Sequence, residues 1–204
     1  MKIKNQILFI ILLLNLAESA AQISSDNTRN EQSLERKLTI EPAIGIKPWP
    51  ISDLLVSNLV QWNFKKHLSL VSHTSYSYNN AFLRDFNYIK TNYNYSLSQK
   101  LGIGASVYSK HSSHTFSLIA GIKYDAFKET MNNPEFEIFS ASSSGVSPDM
   151  GIMYNLKIGA KKYFFSYRMY LPLTPYPIQT SDIYSIDTNL DNFTLEFGIG
   201  IRLK

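Results

Sequence analysis

The chain has 204 residues, enough for one domain or one small barrel, and carries a net charge of +4. There is no dense run of lysine and arginine, which argues against a nucleic-acid module. There is also no cysteine, which excludes disulfides, thiolate metal sites and a lipid-modified N-terminal cysteine. A mean hydropathy of −0.14 does not indicate a helical membrane protein but suits a membrane β-barrel, whose lipid-facing and lumen-facing residues alternate.

Residues 1–21 have the organisation of an export signal. Lysines near the start precede an apolar run of about ten residues, Ile7 to Leu16, and small residues at 19–21 provide a cleavage site. The apolar run is too short to cross a bilayer as a helix. We therefore predict a signal peptide at 1–21, with an uncleaved anchor helix as the alternative. The polar segment 22–37 is predicted to be a flexible periplasmic lead-in.

From residue 38 onward, apolar and polar residues alternate, which is typical of strands with one apolar face. The clearest case is Phe193 to Leu203, where every odd position is large and apolar and every even one is small, polar or charged. Its length matches a tilted strand that crosses a bilayer. Nine such strands are predicted: 38–47, 54–64, 68–78, 85–98, 101–109, 115–124, 149–158, 163–171 and 193–203.

The predicted fold is all-β: a closed antiparallel transmembrane β-barrel over 38–204. Such a barrel needs an even number of strands, so a short strand near 135–140 makes ten, while dropping a weak segment makes eight. Turns at 65–67 and 99–100 are predicted on the periplasmic side, and the turn at 159–162 joins them only if an extra strand precedes it. The even strand count and the placement of the turns both favour ten strands, with eight as the alternative.

Two strand–turn–strand units, from Trp62 to Leu70 and from Tyr95 to Gly104, resemble those of small outer-membrane β-barrel proteins. The composition, rich in lysine and asparagine, is similar to that of Bacteroidota-type envelope barrels. The resemblance covers roughly 38–204. It implies a Gram-negative outer membrane as the location, with outer-membrane lipid and the barrel assembly machinery as partners.

The alternation places a set of charged residues on the inward face: Glu41, Lys157, Arg168, Glu196 and Arg202. Charges in a narrow lumen must pair or stay hydrated, so we predict a salt-bridged lumen charge network. The first and last strands are neighbours in a closed barrel, so Glu41 is expected to approach Arg202. The functional alternative is a charged constriction that selects solutes. A barrel of this size has little free lumen, which argues against a general diffusion pore.

Aromatic residues and loops define the two predicted ends of the barrel. Trp62, Phe64 and Tyr163 lie next to lysine pairs, where a periplasmic aromatic girdle belongs. Segments 141–148 and 172–191 are predicted to be extracellular loops. Loops on a rigid scaffold commonly carry binding functions. The candidate recognition residues in the second loop are Tyr176, Ile178, Ile183 and Tyr184.

Histidines provide the only hint of catalysis. His73 and Ser75 share one strand face and Asp85 begins the next strand, which resembles the serine, histidine and acid of some outer-membrane lipid hydrolases. No supporting motif accompanies them, so we predict no catalytic residue. His111 and His114 lie in a loop without a nearby acid, and we predict no metal site. No phosphate-binding loop is present, and no cofactor is predicted.

The favoured interpretation is a non-enzymatic outer-membrane barrel with an envelope-structural, surface-binding or narrow-transport role, comparable to a small porin-like protein. Two alternatives stay open. One is a lipid-modifying hydrolase that uses His73 and Ser75. The other is a secreted soluble β-sandwich or lipocalin-like binding protein, in which the apolar strand faces pack against each other.

Overall fold

The computed structural model describes residues 38–48, 51–78, 85–86, 89–131, 139–159, 162–173 and 193–203. Its strands are β1 (Leu38–Pro48), β2 (Ile51–Asn63), β3 (Leu68–Tyr78), β4 (Asp85–Phe86), β5 (Ile89–Tyr108), β6 (Ser112–Met131), β7 (Phe139–Ile158), β8 (Tyr163–Pro172) and β9 (Thr194–Leu203). The predicted signal peptide and lead-in lie outside the described residues. The described part of the chain contains no helix that could span a membrane.

The strands close into one antiparallel barrel. The first strand pairs with the last, as Ile40 lies opposite Ile201, and β3 pairs directly with β5, as Tyr76 lies opposite Leu97. The two-residue β4 pairs only with the start of β5, so eight strands form the wall. The prediction of an all-β closed antiparallel barrel is confirmed. Closure pairs the edges that an open sheet would leave free.

The preference for ten strands is wrong, because one predicted turn is the middle of a strand. β5 runs through Gln99 and Lys100 without interruption, and these residues pair with β3 and β6. Segment 141–148, predicted to be an extracellular loop, is part of β7 and pairs with β6. Without the turn at 99–100, the short connections after β2, β5 and β7 all lie at one end of an eight-stranded barrel.

The two ends of the barrel differ. We call the end with these short connections the turn end, and it also holds the start of β1 and the end of β9. The opposite end is the loop end. β5, β6 and β7 have 20 residues each, whereas β1, β3, β8 and β9 have 10 or 11. The wall formed by β5–β7 therefore extends farther at the loop end.

The polarity of the barrel is inverted relative to a soluble protein. Among the described residues, 27 buried ones are polar or charged and only 10 are hydrophobic. Large apolar side chains instead face outward with more than half of their surface exposed, including Ile44, Val56, Leu101, Ile103, Leu118, Ile122, Val146 and Ile199. Soluble monomers rarely expose contiguous apolar surface of this extent. The soluble-sandwich alternative requires the apolar strand faces to pack against each other, and in this barrel they do not.

Candidate functional site in the barrel lumen

Near the turn end, a buried ion pair crosses the lumen from β1 to β7. Lys157 Nζ lies 2.6 Å from Glu41 Oε1. The two side chains are 4% and 0% exposed, respectively. Lys157 also donates to Gln61 Oε1 at 2.8 Å and to Thr39 Oγ1 at 3.0 Å. Asn155 Nδ2 donates to the second Glu41 oxygen at 2.9 Å. The pair is thus surrounded by hydrogen bonds, as a buried pair must be to offset its desolvation.

A second cluster lies farther along the lumen, around Glu196 of β9. Arg168 Nε lies 3.1 Å from Glu196 Oε2, and His73 Nε2 lies 3.2 Å from Oε1. Ser57 donates its hydroxyl hydrogen to Oε2 at 2.5 Å. Arg168 Nη2 donates to the Glu41 carbonyl oxygen and to Ser57 Oγ, both at 3.1 Å. Arg168 therefore joins the two clusters into one continuous polar network.

Apolar side chains fill the lumen beside this network. The buried cluster draws one residue from each of β2, β3, β6, β7 and β8: Leu59, Val71, Ile119, Met153 and Tyr170. Leu59 and Ile119 have no exposed surface. The interior of an eight-stranded barrel is just wide enough for side chains to fill. The lumen at this level is consequently packed with side chains.

At the loop end, the lumen opens into a small polar cavity, which we call the vestibule. Its volume is about 30 Å³, room for a water molecule or two. Lys100 Nζ lies 2.5 Å from Asp149 Oδ2, which also accepts from Ser98 at 3.0 Å, and the Tyr170 hydroxyl donates to Asp149 Oδ1. The remaining lining is rich in hydroxyl and ammonium groups: Ser75, Ser77, Ser96, Thr194, Lys47 and Lys123.

Carboxylates accompany each vestibule lysine. Besides the Lys100–Asp149 pair, Lys47 lies 2.7 Å from Asp53 and Lys123 lies 2.9 Å from Asp125. These pairs offset the positive charge of the lining. The vestibule therefore presents hydroxyl groups and paired charges rather than a concentrated field of one sign.

The predicted inward charges all face the lumen and are almost completely buried: Glu41, Lys157, Arg168, Glu196 and Arg202. The structure brings Glu41 to Lys157 and Glu196 to Arg168. β1 and β9 are neighbours, as expected for a closed barrel. The residue opposite Arg202 on β1 is Thr39, however, and not Glu41. The Arg202 guanidinium carbon lies 4.3 Å from the centre of the Phe164 ring.

Lys100 and Asp149 were missed by the sequence reasoning. Lys100 lies in the predicted turn at 99–100, and Asp149 lies outside the predicted set of inward charges. Alternation along β5 could have identified Lys100, because Lys100 occupies the same inward-facing positions as Ser96 and Ser98. For Asp149, the same parity argument applies along β7, where Ser147 and Gly151 are also buried.

The predicted girdle residues lie at the turn end of the outer wall. Trp62, Phe64 and Tyr163 are all exposed, and the rings of Trp62 and Phe64 lie 6.2 Å apart. Their role in a membrane stays a prediction. The predicted recognition residues of the second extracellular loop lie outside the described residues: Tyr176, Ile178, Ile183 and Tyr184.

The geometry does not favour hydrolysis by His73 and Ser75. Both side chains are buried and face the lumen, whereas a lipid substrate would contact the outer wall. His73 Nε2 is directed to Glu196, and no hydrogen bond in the described strands joins its ring to Ser75. His73 Nδ1 has no hydrogen-bond partner. Nor do the described residues contain a group of three or more histidines and acids placed to hold a metal.

Gly200 allows the Phe164 ring to lie against β9. A β-carbon at position 200 would collide with Cζ and Cε2 of that ring, which in turn contacts Arg202 and Lys157. Gly200→Ala should therefore displace the ring and lower the free energy of unfolding by about 1–3 kcal/mol. Urea titration of the protein in lipid vesicles measures the loss. The control, Ala105→Val, adds atoms on the exposed outer wall and is expected to leave stability unchanged; equal losses for both variants would contradict the explanation.

No family model and no curated protein matches the sequence of this chain. The N-terminal β-barrel domain of Pseudomonas aeruginosa OprF is similar in structure, with 10% identity and a TM-score of 0.44, over 81% of this chain and 97% of that chain. Neisserial surface protein A (NspA) has 8% identity and a TM-score of 0.43, over 82% of this chain and 95% of that chain. Identities this low transfer no residue roles.

Proposed function

We propose that this protein is a non-enzymatic β-barrel of the Gram-negative outer membrane, with an envelope-structural or surface-binding role and a lumen closed to solutes. One observation carries the proposal: the apolar surface faces outward while the lumen is polar and internally paired. This distribution is stable in lipid and costly in water.

Backbone pairing and aromatic placement support insertion in a membrane. Hydrocarbon offers no hydrogen bonds, so a spanning sheet must pair its strands around a closed wall, as this one does through β1–β9 and β3–β5. Trp62 and Tyr163 lie on the outer wall at the turn end, where an interfacial girdle would face the periplasm. The predicted export signal at 1–21 favours the outer membrane, with the barrel assembly machinery as the insertion route.

A packed lumen argues against the narrow-transport role. Leu59, Ile119 and Met153 fill the centre, and the Glu41–Lys157 pair closes the lumen nearer the turn end. We expect planar bilayers that contain the folded protein to show no conductance above protein-free bilayers. On a gel, a folded barrel in an unheated sample is expected to run as a compact band, faster than the unfolded chain. The presence of this band establishes that the protein in the assay is folded. Uniform single-channel currents from such a preparation would contradict the closed lumen.

The surface-binding part of the proposal rests on the sequence of 172–191. Its proline, tyrosine and isoleucine residues suit a recognition loop between β8 and β9. Deletion of 176–187 should abolish any adhesion or ligand binding measured on whole cells while the barrel still folds. Unchanged binding after this deletion would remove the loop from the proposal.

A further inference from the structure

Within the described strands, a row of polar side chains interrupts the apolar outer wall. Asn58 of β2 lies opposite Thr74 of β3, and Thr74 lies opposite Gln99 of β5. Ser72 faces the same way, two positions before Thr74. We call Asn58, Ser72, Thr74 and Gln99 the outer polar stripe. None of its members carries a charge.

Hydrogen bonds organise the stripe on the outside of the barrel. Gln99 Nε2 donates to Ser72 Oγ at 3.0 Å, and Thr74 Oγ1 donates to Gln99 Oε1. The Asn58 Oδ1 atom has no hydrogen-bond partner. The hydroxyl hydrogen of Ser72 is not used in its bond with Gln99, because Ser72 is the acceptor there. The outward capacity of the stripe therefore lies in the Ser72 hydroxyl hydrogen and in the exposed side chains of Thr74 and Gln99, because Asn58 Oδ1 itself is buried.

Apolar rows border the stripe on both sides. Toward the loop end, Val56, Tyr76 and Leu97 lie opposite one another. Toward the turn end, Trp62, Leu70 and Ile103 lie opposite one another. The stripe is therefore inside the apolar surface and not at its margin. Polar groups at such a depth are costly when they face lipid, whereas serine, threonine, asparagine and glutamine side chains stabilise contacts between membrane segments.

We propose that the outer polar stripe is the surface through which two copies of this chain pair in the membrane. Copies inserted in the same orientation hold their stripes at the same depth. Amide and hydroxyl groups both donate and accept, so the stripe is complementary to itself across a two-fold axis. The absence of charge on all four residues avoids like-charge repulsion across that axis. The inference rests on the proposed location in a membrane.

Single cysteines test the pairing directly, because the natural chain has none. Tyr76→Cys places a thiol on β3 beside the stripe, and Phe197→Cys places the control thiol three strands away on β9; the native side chains are exposed to a similar extent, 44% and 46%. Outer membranes are treated with a short bis-maleimide and examined on a denaturing gel. We expect a band of twice the chain mass for Tyr76→Cys and little for Phe197→Cys.

Removal of the stripe must then abolish most of the crosslinking. Thr74→Val with Gln99→Leu, in the Tyr76→Cys background, is expected to lower the yield of crosslinked dimer about five- to tenfold. Asn58→Leu is the second variant, since it leaves the bonds of Gln99 intact and is expected to lower the yield by a smaller factor. The compact band of the unheated sample must be present for each variant.

Four results overturn the pairing: equal crosslinking at both thiols, no crosslinking, an unchanged yield after both stripe replacements, or a product whose mass shows a different partner. Each of these leaves the membrane location intact if the protein is in the outer-membrane fraction. Absence of the protein from that fraction instead overturns the membrane proposal, and the pairing with it.

Discussion

Ile103→Arg is expected to destabilise the barrel in lipid by about 2–4 kcal/mol, the cost of an arginine on the lipid face near the bilayer midplane. Ile103 faces outward on β5 with 60% of its surface exposed, five positions from the end of that strand at Tyr108. A surface substitution of this kind in a soluble protein changes stability by only about 0.5 kcal/mol. Urea titration in vesicles, followed by tryptophan fluorescence, measures the difference.

Depth provides the control for this prediction. The control variant is Ser140→Arg. Ser140 is exposed and lies near the start of β7, in the part of the strand that extends toward the loop end. An arginine outside the hydrocarbon region is expected to cost no more than about 1 kcal/mol. If both variants unfold at the same urea concentration as the natural chain, the apolar outer wall does not contact lipid.

The second large effect is expected in the lumen. Glu196→Gln keeps the size of the side chain but removes the charge beside Arg168, which is 1% exposed. Removal of one partner of a buried ion pair leaves the other charge uncompensated and costs about 3–5 kcal/mol. We therefore expect a marked decrease in the urea midpoint of the variant. Circular dichroism of the folded state is expected to stay dominated by strand.

Two further variants separate the ion pair from a general loss of packing. Glu196→Gln with Arg168→Met removes both charges, and we expect it to recover most of the lost stability, because apolar replacement of a buried pair is often neutral. Asp125→Asn breaks the more accessible pair with Lys123 and is expected to cost no more than about 1 kcal/mol. A loss of stability for Glu196→Gln no larger than that for Asp125→Asn would contradict a stabilising buried ion pair in the lumen.

Alternation was a reliable guide where the two faces of a strand differ strongly. β3 has the predicted bounds, 68–78, and β1, β8 and β9 agree with prediction to within one residue at each end. The same alternation identified the inward side chains, including Arg168 and Glu196. Parity assigns a residue to a face, because side chains alternate along any strand regardless of its partners.

Alternation along a strand does not predict which side chains pair across the lumen. Parity does not specify the height of a side chain, which depends on the register set by the turns. The incorrectly predicted turn at 99–100 excluded Lys100 from the inward set. The carboxylate partner of Lys100, Asp149, is 49 residues away in the sequence. Gln99 appeared to end a strand because a polar residue faces outward there, where alternation predicts an apolar one.

Strand length was underestimated where pairing outweighs local composition. The serine-rich segment 141–147 has turn-like composition, yet it forms part of β7 through its pairing with β6. Strand preference depends on the neighbouring strand more than on the residue itself. The extra length of β5, β6 and β7 follows from these mutual pairings.

The most direct test of the central claim compares heated and unheated samples of the protein on a gel after extraction from purified outer membranes. A closed barrel that spans the membrane is expected in this fraction, with a compact, faster band when unheated and a shift to the position of the unfolded chain on boiling. Recovery in the soluble periplasmic fraction, with no shift on heating, would contradict the membrane barrel.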